Sequence, residues 1–226
     1  MDNAFYKNLP RIIDISCVKA NHTLDEIDEM INAAKKYRFV CVFTLPSFTK
    51  YAAERLKDEP DIMTGGTIGF PAGCDTTASK VFQAKELLSM GADELDMVIN
   101  ITQMKSHNYK YVYEDIKAVI DTAEKVPVKT IIEAAYLTED EIRIAADIAA
   151  EAGAAYIKTG TGWAPSPTTI RHIKIIKDRV QDRVKIKAAG GIRDLNTLIS
   201  MRNAGCDRFG IGVSSALKIL EEAGKL

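Results

Sequence analysis

The chain has 226 residues, 46% of them hydrophobic and 27% charged, an ordinary globular composition. Thirty basic residues against 31 acidic ones leave a formal charge of -1, with no long basic run, so the electrostatic footprint of a nucleic-acid binder is missing. No run of about 18 apolar residues exists to cross a membrane, and the opening MDNAFYKNLPRIID has no apolar core of a secretory leader. The four cysteines (Cys17, Cys41, Cys74, Cys206) form no C-x-x-C pair. Their scatter suits reduced thiols in the cytoplasm better than a disulfide framework or a zinc site.

Along the chain, short apolar runs alternate with amphipathic stretches of helical period. The first run is RIIDIS from Arg11, followed by Thr23-Leu24-Asp25-Glu26, a capping box that opens a helix. FVCVFT from Phe39 and GTIGF from Gly66 come next, and Met90-Gly91-Ala92-Asp93 closes a helix into ELDMVIN from Glu94. VKTIIEA from Val128 precedes a second capping box, Thr138-Glu139-Asp140-Glu141, whose helix ends at Glu151-Ala152-Gly153-Ala154. YIKTGT from Tyr156 and VKIKAAGG from Val184 follow. Asp194 then caps LNTLISMRNAG, Gly205 stops it, and RFGIG from Arg208 is the last run. About eight strand–helix units of about 28 residues, with no linker, predict a single (β/α)8 TIM barrel domain over residues 1–226. Near-continuous apolar strands are what a parallel sheet buried on both faces requires. An open doubly wound sheet is the alternative, but it would carry a glycine fingerprint after its first strand, and there is none.

Chemistry in a barrel sits at the C-terminal ends of the strands. Polar residues inside the runs are therefore informative: Asp96, Lys158 and Lys187. Asp96 shares strand parity with Val98 and Asn100, and Lys187 with Lys185 and Ala189. Lys129 and Lys185, near strand starts, fit the ordinary reading of a buried stem with its ammonium in water. Lys158 and Lys187 instead precede glycine-bearing turns on consecutive strands. Two ammonium groups in one desolvated pocket lower each other's pKa, and a neutral amine is what carbonyl addition needs. A nearby carboxylate can then carry protons through the carbinolamine and imine steps. Metal chemistry is not expected, because His22, His107 and His172 fall at helix starts or in helices; carboxylates alone, Asp14, Asp96 and Glu133, keep open a Mg²⁺ site at the barrel mouth.

Two glycine-rich turns close the chain, with Gly190 and Gly191 after the seventh run and Gly210 and Gly212 in the eighth. Phosphate sites in this architecture are commonly built from the loops after strands seven and eight plus a helix N-terminus, which Ser214-Ser215 could open.

Over nearly its whole length the sequence resembles the deoxyribose-phosphate aldolase family. The resemblance is carried by GADELDMVIN, IKTGTG and KAAGGIRD, with RIIDIS…K, TIGFPAGCDTTASK, VKTIIEAAYLTEDEI and AGCDRFGIG in order between them. It implies a cofactor-free class I aldolase that cleaves 2-deoxy-D-ribose 5-phosphate reversibly to acetaldehyde and D-glyceraldehyde 3-phosphate. Lys158 would be the Schiff-base lysine, Lys187 the residue that perturbs its pKa, and Asp96 the acid/base carboxylate. Asp14, Gly162, Gly190, Gly191 and Gly210 would contact substrate by the resemblance, and Thr159, Gly212 and Ser214 are further substrate-binding candidates beside them. The implied partners are a phosphorylated deoxysugar and short aldehydes, with neither nucleic acid nor membrane, and a homo-oligomer left open. Departures from the family pattern are Gly160 for Ser, Trp163 for Phe or Lys, Phe43 and Leu45 in the second strand, Gly212-Val213 before a displaced Ser214-Ser215, and an EEAGKL end without a terminal tyrosine. They leave open a related aldolase with another aldehyde acceptor, or a barrel that binds a sugar phosphate without catalysis.

Overall fold

A computed structural model describes residues 3–224; positions 1–2 and 225–226, at the ends of the expected domain, lie outside the described residues. Helix α1 (Asn3–Lys7) and a 3-10 turn (Leu9–Ile12) lead into β1 (Ile13–Cys17), α2 (Leu24–Tyr37), β2 (Cys41–Thr44) and α3 (Thr49–Leu56). Next come β3 (Met63–Ile68), α4 (Thr77–Ser89), β4 (Glu94–Val98), α5 (Ile101–Lys105), α6 (Tyr109–Ala123) and β5 (Val128–Ile131). The chain continues through α7 (Glu139–Ala152), β6 (Tyr156–Lys158), α8 (Ile170–Val180), β7 (Lys185–Ala189), α9 (Leu195–Asn203), β8 (Arg208–Gly212) and α10 (Val213–Glu222). The strands pair in sequence order, all parallel, and β8 closes on β1 with Asp14 opposite Gly210, so the architecture is a (β/α)8 barrel.

The helix starts follow their sequence signals. Thr23 and Glu26 exchange backbone hydrogen bonds at α2, as do Thr138 and Glu141 at α7. Asp194 accepts from the Thr197 N–H at 2.8 Å and begins α9. A third box opens α8, where His172 stands in the glutamate position and its Nδ1 accepts from the Thr169 N–H at 3.3 Å. His22 Nδ1 likewise accepts from the Lys19 N–H, and His107 Nδ1 lies 2.7 Å from the Tyr109 hydroxyl. Each histidine thus has a local structural partner.

The strands are not apolar on both faces, which corrects the sequence expectation. Alternation is strict, and the apolar set faces the helices: Ile13 and Ile15 in β1, Leu95 and Met97 in β4, Ile157 in β6, Ile186 and Ala188 in β7, Phe209 and Ile211 in β8. The opposite parity points into the barrel and carries the buried charges, with apolar residues such as Phe43 among them. Asp14, Glu94, Asp96, Lys129, Lys158, Lys187 and Arg208 converge there from six strands. The main hydrophobic core therefore lies between barrel and helices, and the barrel axis holds an ion-pair network.

Strand β3 begins at Met63, three positions before the GTIGF run. The pair Gly65-Gly66 hides it, since glycine has low strand propensity. Glycine is required there because a Cβ on Gly65 would stand 2.3 Å from the Phe43 ring, which fills the barrel beside it.

Candidate active site

Lys158 is the last residue of β6, Lys187 is the third of β7 and the two are register partners. Their ammonium groups meet on one oxygen: Lys158 Nζ donates to Asp96 Oδ2 at 2.8 Å, and Lys187 Nζ donates to the same atom at 2.7 Å. Asp96 comes from β4, whose inward parity also delivers Glu94. Lys187 lies 2.6 Å from Asp14 Oδ2 as well. Beneath them Arg208 Nε donates to Asp14 Oδ1 at 2.6 Å and one of its terminal nitrogens to Glu94 Oε2 at 2.9 Å. Lys129, expected to reach water, is instead wholly buried. It donates to Glu94 Oε2 at 2.5 Å and lies 3.3 Å from Asp96 Oδ1, because β5 brings it inward opposite Asp96 in register.

Lys158 is the more accessible of the two amines. Its side chain is 9% exposed where that of Lys187 is 1%, and both line a cavity of about 560 Å³. Burial pushes its pKa down to about 8; the Asp96 carboxylate opposes the drop, and the Lys187 charge adds to it, with Lys129 beyond. Burial alone would raise the Asp96 carboxyl, but Lys158, Lys187 and Lys129 together hold it below the usual carboxylate range. Lys129 is desolvated too, yet the Asp96, Asp14 and Glu94 charges keep it above the usual lysine value and hence cationic. The Phe43 ring lies over all three lysines, with its centroid 4.1 Å from Lys187, 4.8 Å from Lys129 and 5.8 Å from Lys158. One amine in this cluster can give up its proton near neutrality, with a carboxylate beside it to move protons.

Of the residues expected to touch substrate, Asp14, Gly162, Gly190, Gly191, Gly210, Gly212 and Ser214 all line the cavity. Gly162, Gly190 and Gly191 have positive φ values of 81°, 97° and 86°, turns that other residues enter only with strain. The β6 and β7 turns touch each other, since a Cβ on Gly190 would lie 3.5 Å from Gly162 Cα. Gly212 is the N-cap of α10 and Ser214 lies in its first turn, so the last helix aims its positive end at the same space.

Thr159 departs from expectation. It follows Lys158 and so faces the opposite way, is buried, and shares its hydroxyl with the Thr168 hydroxyl at 2.8 Å and the Ala189 carbonyl at 3.2 Å. Its work is to tie the β6 turn to the β7 turn. Glu133 is also no open ligand, because its carboxylate accepts from both the N–H and the hydroxyl of Thr161. The carboxylates named as a metal hold are therefore already paired with lysine, arginine or threonine donors. Asp14, Cys41 and Glu94 form a compact buried group, but Arg208 and Lys129 occupy its carboxylates, and burial keeps the Cys41 thiol well above its ordinary value. Sequence reasoning missed Glu94, Arg208 and Thr67. Glu94 and Arg208 share the inward parity of Asp96 and Gly210, a signal that was present; Thr67 faces the cavity with a buried hydroxyl that has no hydrogen-bond partner among the described residues.

A family model described as "DeoC/LacD family aldolase" matches residues 13–222. The chain belongs to the DeoC/LacD aldolase family. Among its relatives, a deoxyribose-phosphate aldolase of Sinorhizobium medicae is 41% identical over 97% of this chain and 89% of its own length. One from Coprothermobacter proteolyticus is 42% identical over 94% of this chain and 95% of its own. Among solved structures, the aldolase QR15 superposes with a TM-score of 0.90 at 37% identity, covering 100% of this chain and 97% of the other. The tetrameric deoxyribose phosphate aldolase of Aeropyrum pernix gives 0.87 at 26% identity, over 96% and 91% of the two chains. The family places an aldolase's carbon–carbon chemistry in this barrel, and the paired lysines at its mouth are the groups suited to carry it.

Proposed function

We propose that this aldolase cleaves 2-deoxy-D-ribose 5-phosphate, reversibly, to acetaldehyde and D-glyceraldehyde 3-phosphate through a Schiff base on Lys158. The observation that carries this reading is the single Asp96 oxygen shared by Lys158 at 2.8 Å and Lys187 at 2.7 Å, beneath a cavity edged by glycine turns. The neutral Lys158 amine adds to the C1 aldehyde of the open-chain sugar, and the carbinolamine loses water to give a protonated imine. Removal of the C3 hydroxyl proton lets the C2–C3 bond break; its electron pair moves into the imine and leaves an enamine plus glyceraldehyde 3-phosphate. Protonation at C2 and addition of water then release acetaldehyde and restore the amine. Asp96, through a water, is the proton carrier. Lys187 keeps the amine available and holds Asp96 ionised between turnovers.

The relatives' name supports the substrate, and the glycine turns with the α10 N-terminus support its phosphate. Among the described residues no helix is long and apolar enough to cross a membrane, and the four cysteines are unpaired, in keeping with a cytoplasmic enzyme. The tetrameric Aeropyrum relative supports assembly of identical subunits.

Borohydride reduction in the presence of acetaldehyde is the decisive experiment. One reduced ethyl group should map to Lys158, and Lys158→Ala should abolish turnover. Labelling at Lys187 with Lys158 untouched would overturn the assignment.

A further inference from the structure

Across the mouth of the barrel, the loop after β1 is strapped to the loop after β6. Lys19 Nζ donates to the Gly162 carbonyl at 2.9 Å, and Trp163 Nε1 donates back to the Val18 carbonyl at 2.9 Å. The ammonium also lies 5.2 Å from the centre of the Trp163 ring, within cation–π range. Among the described residues, Lys19 pairs with no carboxylate; a neutral carbonyl and an aromatic face hold it. Glu26, which also lines the cavity, is committed to Thr23 in the α2 capping box. Lys19 is therefore a cation without an ion-pair partner among the described residues, although Glu26 and Glu29 line the same cavity; it sits on the glycine whose backbone touches the β7 turn, at the edge of the space edged by Gly190, Gly191 and Gly212. A carbonyl takes one ammonium proton and leaves two directed elsewhere.

We propose that Lys19, which lines the same cavity as Arg193, is a specificity-determining cation for the substrate's phosphate, held in place by the Gly162 carbonyl and the Trp163 ring. The proposal rests on the sugar-phosphate reading above and adds the side chain that reads its charge. Backbone N–H groups can cradle an anion but supply only partial charge. A full charge that makes no other ion pair discriminates a phosphate from a hydroxyl without breaking a prior salt bridge. Trp163 gives the ammonium a platform that does not neutralise it.

The test compares kcat/KM for deoxyribose 5-phosphate and unphosphorylated 2-deoxyribose in wild type, Lys19→Met, Lys19→Arg and Trp163→Leu, with calorimetric titration of inorganic phosphate into each. Wild type should prefer the phosphorylated sugar by at least about 100-fold. Lys19→Met should cut that preference about tenfold or more, chiefly through KM, and weaken phosphate binding by a similar factor. Lys19→Arg should keep most of both, and Trp163→Leu should fall between. Unchanged preference and phosphate affinity in Lys19→Met would overturn the proposal. So would equal loss on both sugars with phosphate affinity kept, which would mean that Lys19 only fastens the loops. A wild type without phosphate preference sinks the proposal while an ethyl adduct at Lys158 leaves the imine reading standing. A wild type without that adduct sinks the imine reading, while the phosphate titrations still decide for or against Lys19.

Discussion

Lys158 and Lys187 have the same side chain and share a carboxylate oxygen, yet their surroundings differ. Both line the cavity, but the side chain of Lys187, packed among Asp14, Asp96 and the Phe43 ring, is 1% exposed and that of Lys158 is 9% exposed. With Lys158 held near 8, the fraction of reactive amine rises through neutral to mildly alkaline pH, and kcat/KM should rise with it. Lys187→Leu removes a repelling cation and leaves Asp96 freer to stabilise the Lys158 ammonium, so the profile should move to higher pH by about one unit. Asp14 keeps Arg208 in that variant, so no bare buried charge results. Asp96→Asn should cost on the order of 10²–10⁴-fold in rate. Wild-type-like profiles in both variants would remove the two residues from the mechanism. The three polar residues inside apolar runs were legible in the sequence because strand parity and glycine turns mark the barrel mouth. The inward course of Lys129 was not. A lysine early in a strand reads as one whose head escapes to water, and only the register of β4 with β5, which sets Asp96 opposite Lys129, shows that its head meets carboxylates instead.

Elements with a single dominant signal could be read directly: both threonine–glutamate boxes cap the helices they announce. The start of β3 could not, because its cause lies on another strand. Phe43 projects from β2 into the place where a side chain at Gly65 would be, so the glycine answers a contact that only the paired sheet creates. Gly65→Ala should therefore destabilise the protein by about 1–3 kcal/mol through overpacking. In a Phe43→Leu background most of that cost should vanish, a coupling that a double-mutant cycle by chemical denaturation would measure. Equal losses in the two backgrounds would show that the strand tolerates a Cβ there for other reasons. Gly160 is a different case. A Cβ there would come 2.7 Å from Glu133 Oε1 and 3.3 Å from the Ala189 carbonyl oxygen, so the serine more usual in the family would require the buried, Thr161-anchored Glu133 side chain to shift.

Taken entire, the molecule is a hydrophobic shell around a charged axis, the reverse of what runs of valine and isoleucine suggested. That axis ties stability to pH in a defined direction. Lys158 has a folded value near 8 against an ordinary 10.5. Between these values the unfolded chain holds a proton that the folded protein has lost, so stability rises with pH across that window. Lys129 and Arg208, held above their usual values, stay charged through it and cancel nothing. The stability of wild type relative to Lys158→Met should accordingly improve by about 3 kcal/mol at most between about pH 8 and about pH 10. A constant difference across that range would mean that the folded amine is not perturbed.

The closure of β8 on β1 has a consequence for how the protein is made. Asp14 emerges early in synthesis, but its guanidinium partner lies 194 positions later, at Arg208. At roughly 5–20 residues per second, the nascent chain must wait on the order of ten to forty seconds between the two. Through that interval β1 has an unpaired edge, and Asp14, which ends with no exposure to solvent, must remain hydrated. Strands β1 to β7 can pair as they emerge, but the barrel cannot close around its charges until β8 arrives. Closure of the barrel around its charges therefore waits on the last strand, so activity should appear only once Arg208 can reach Asp14.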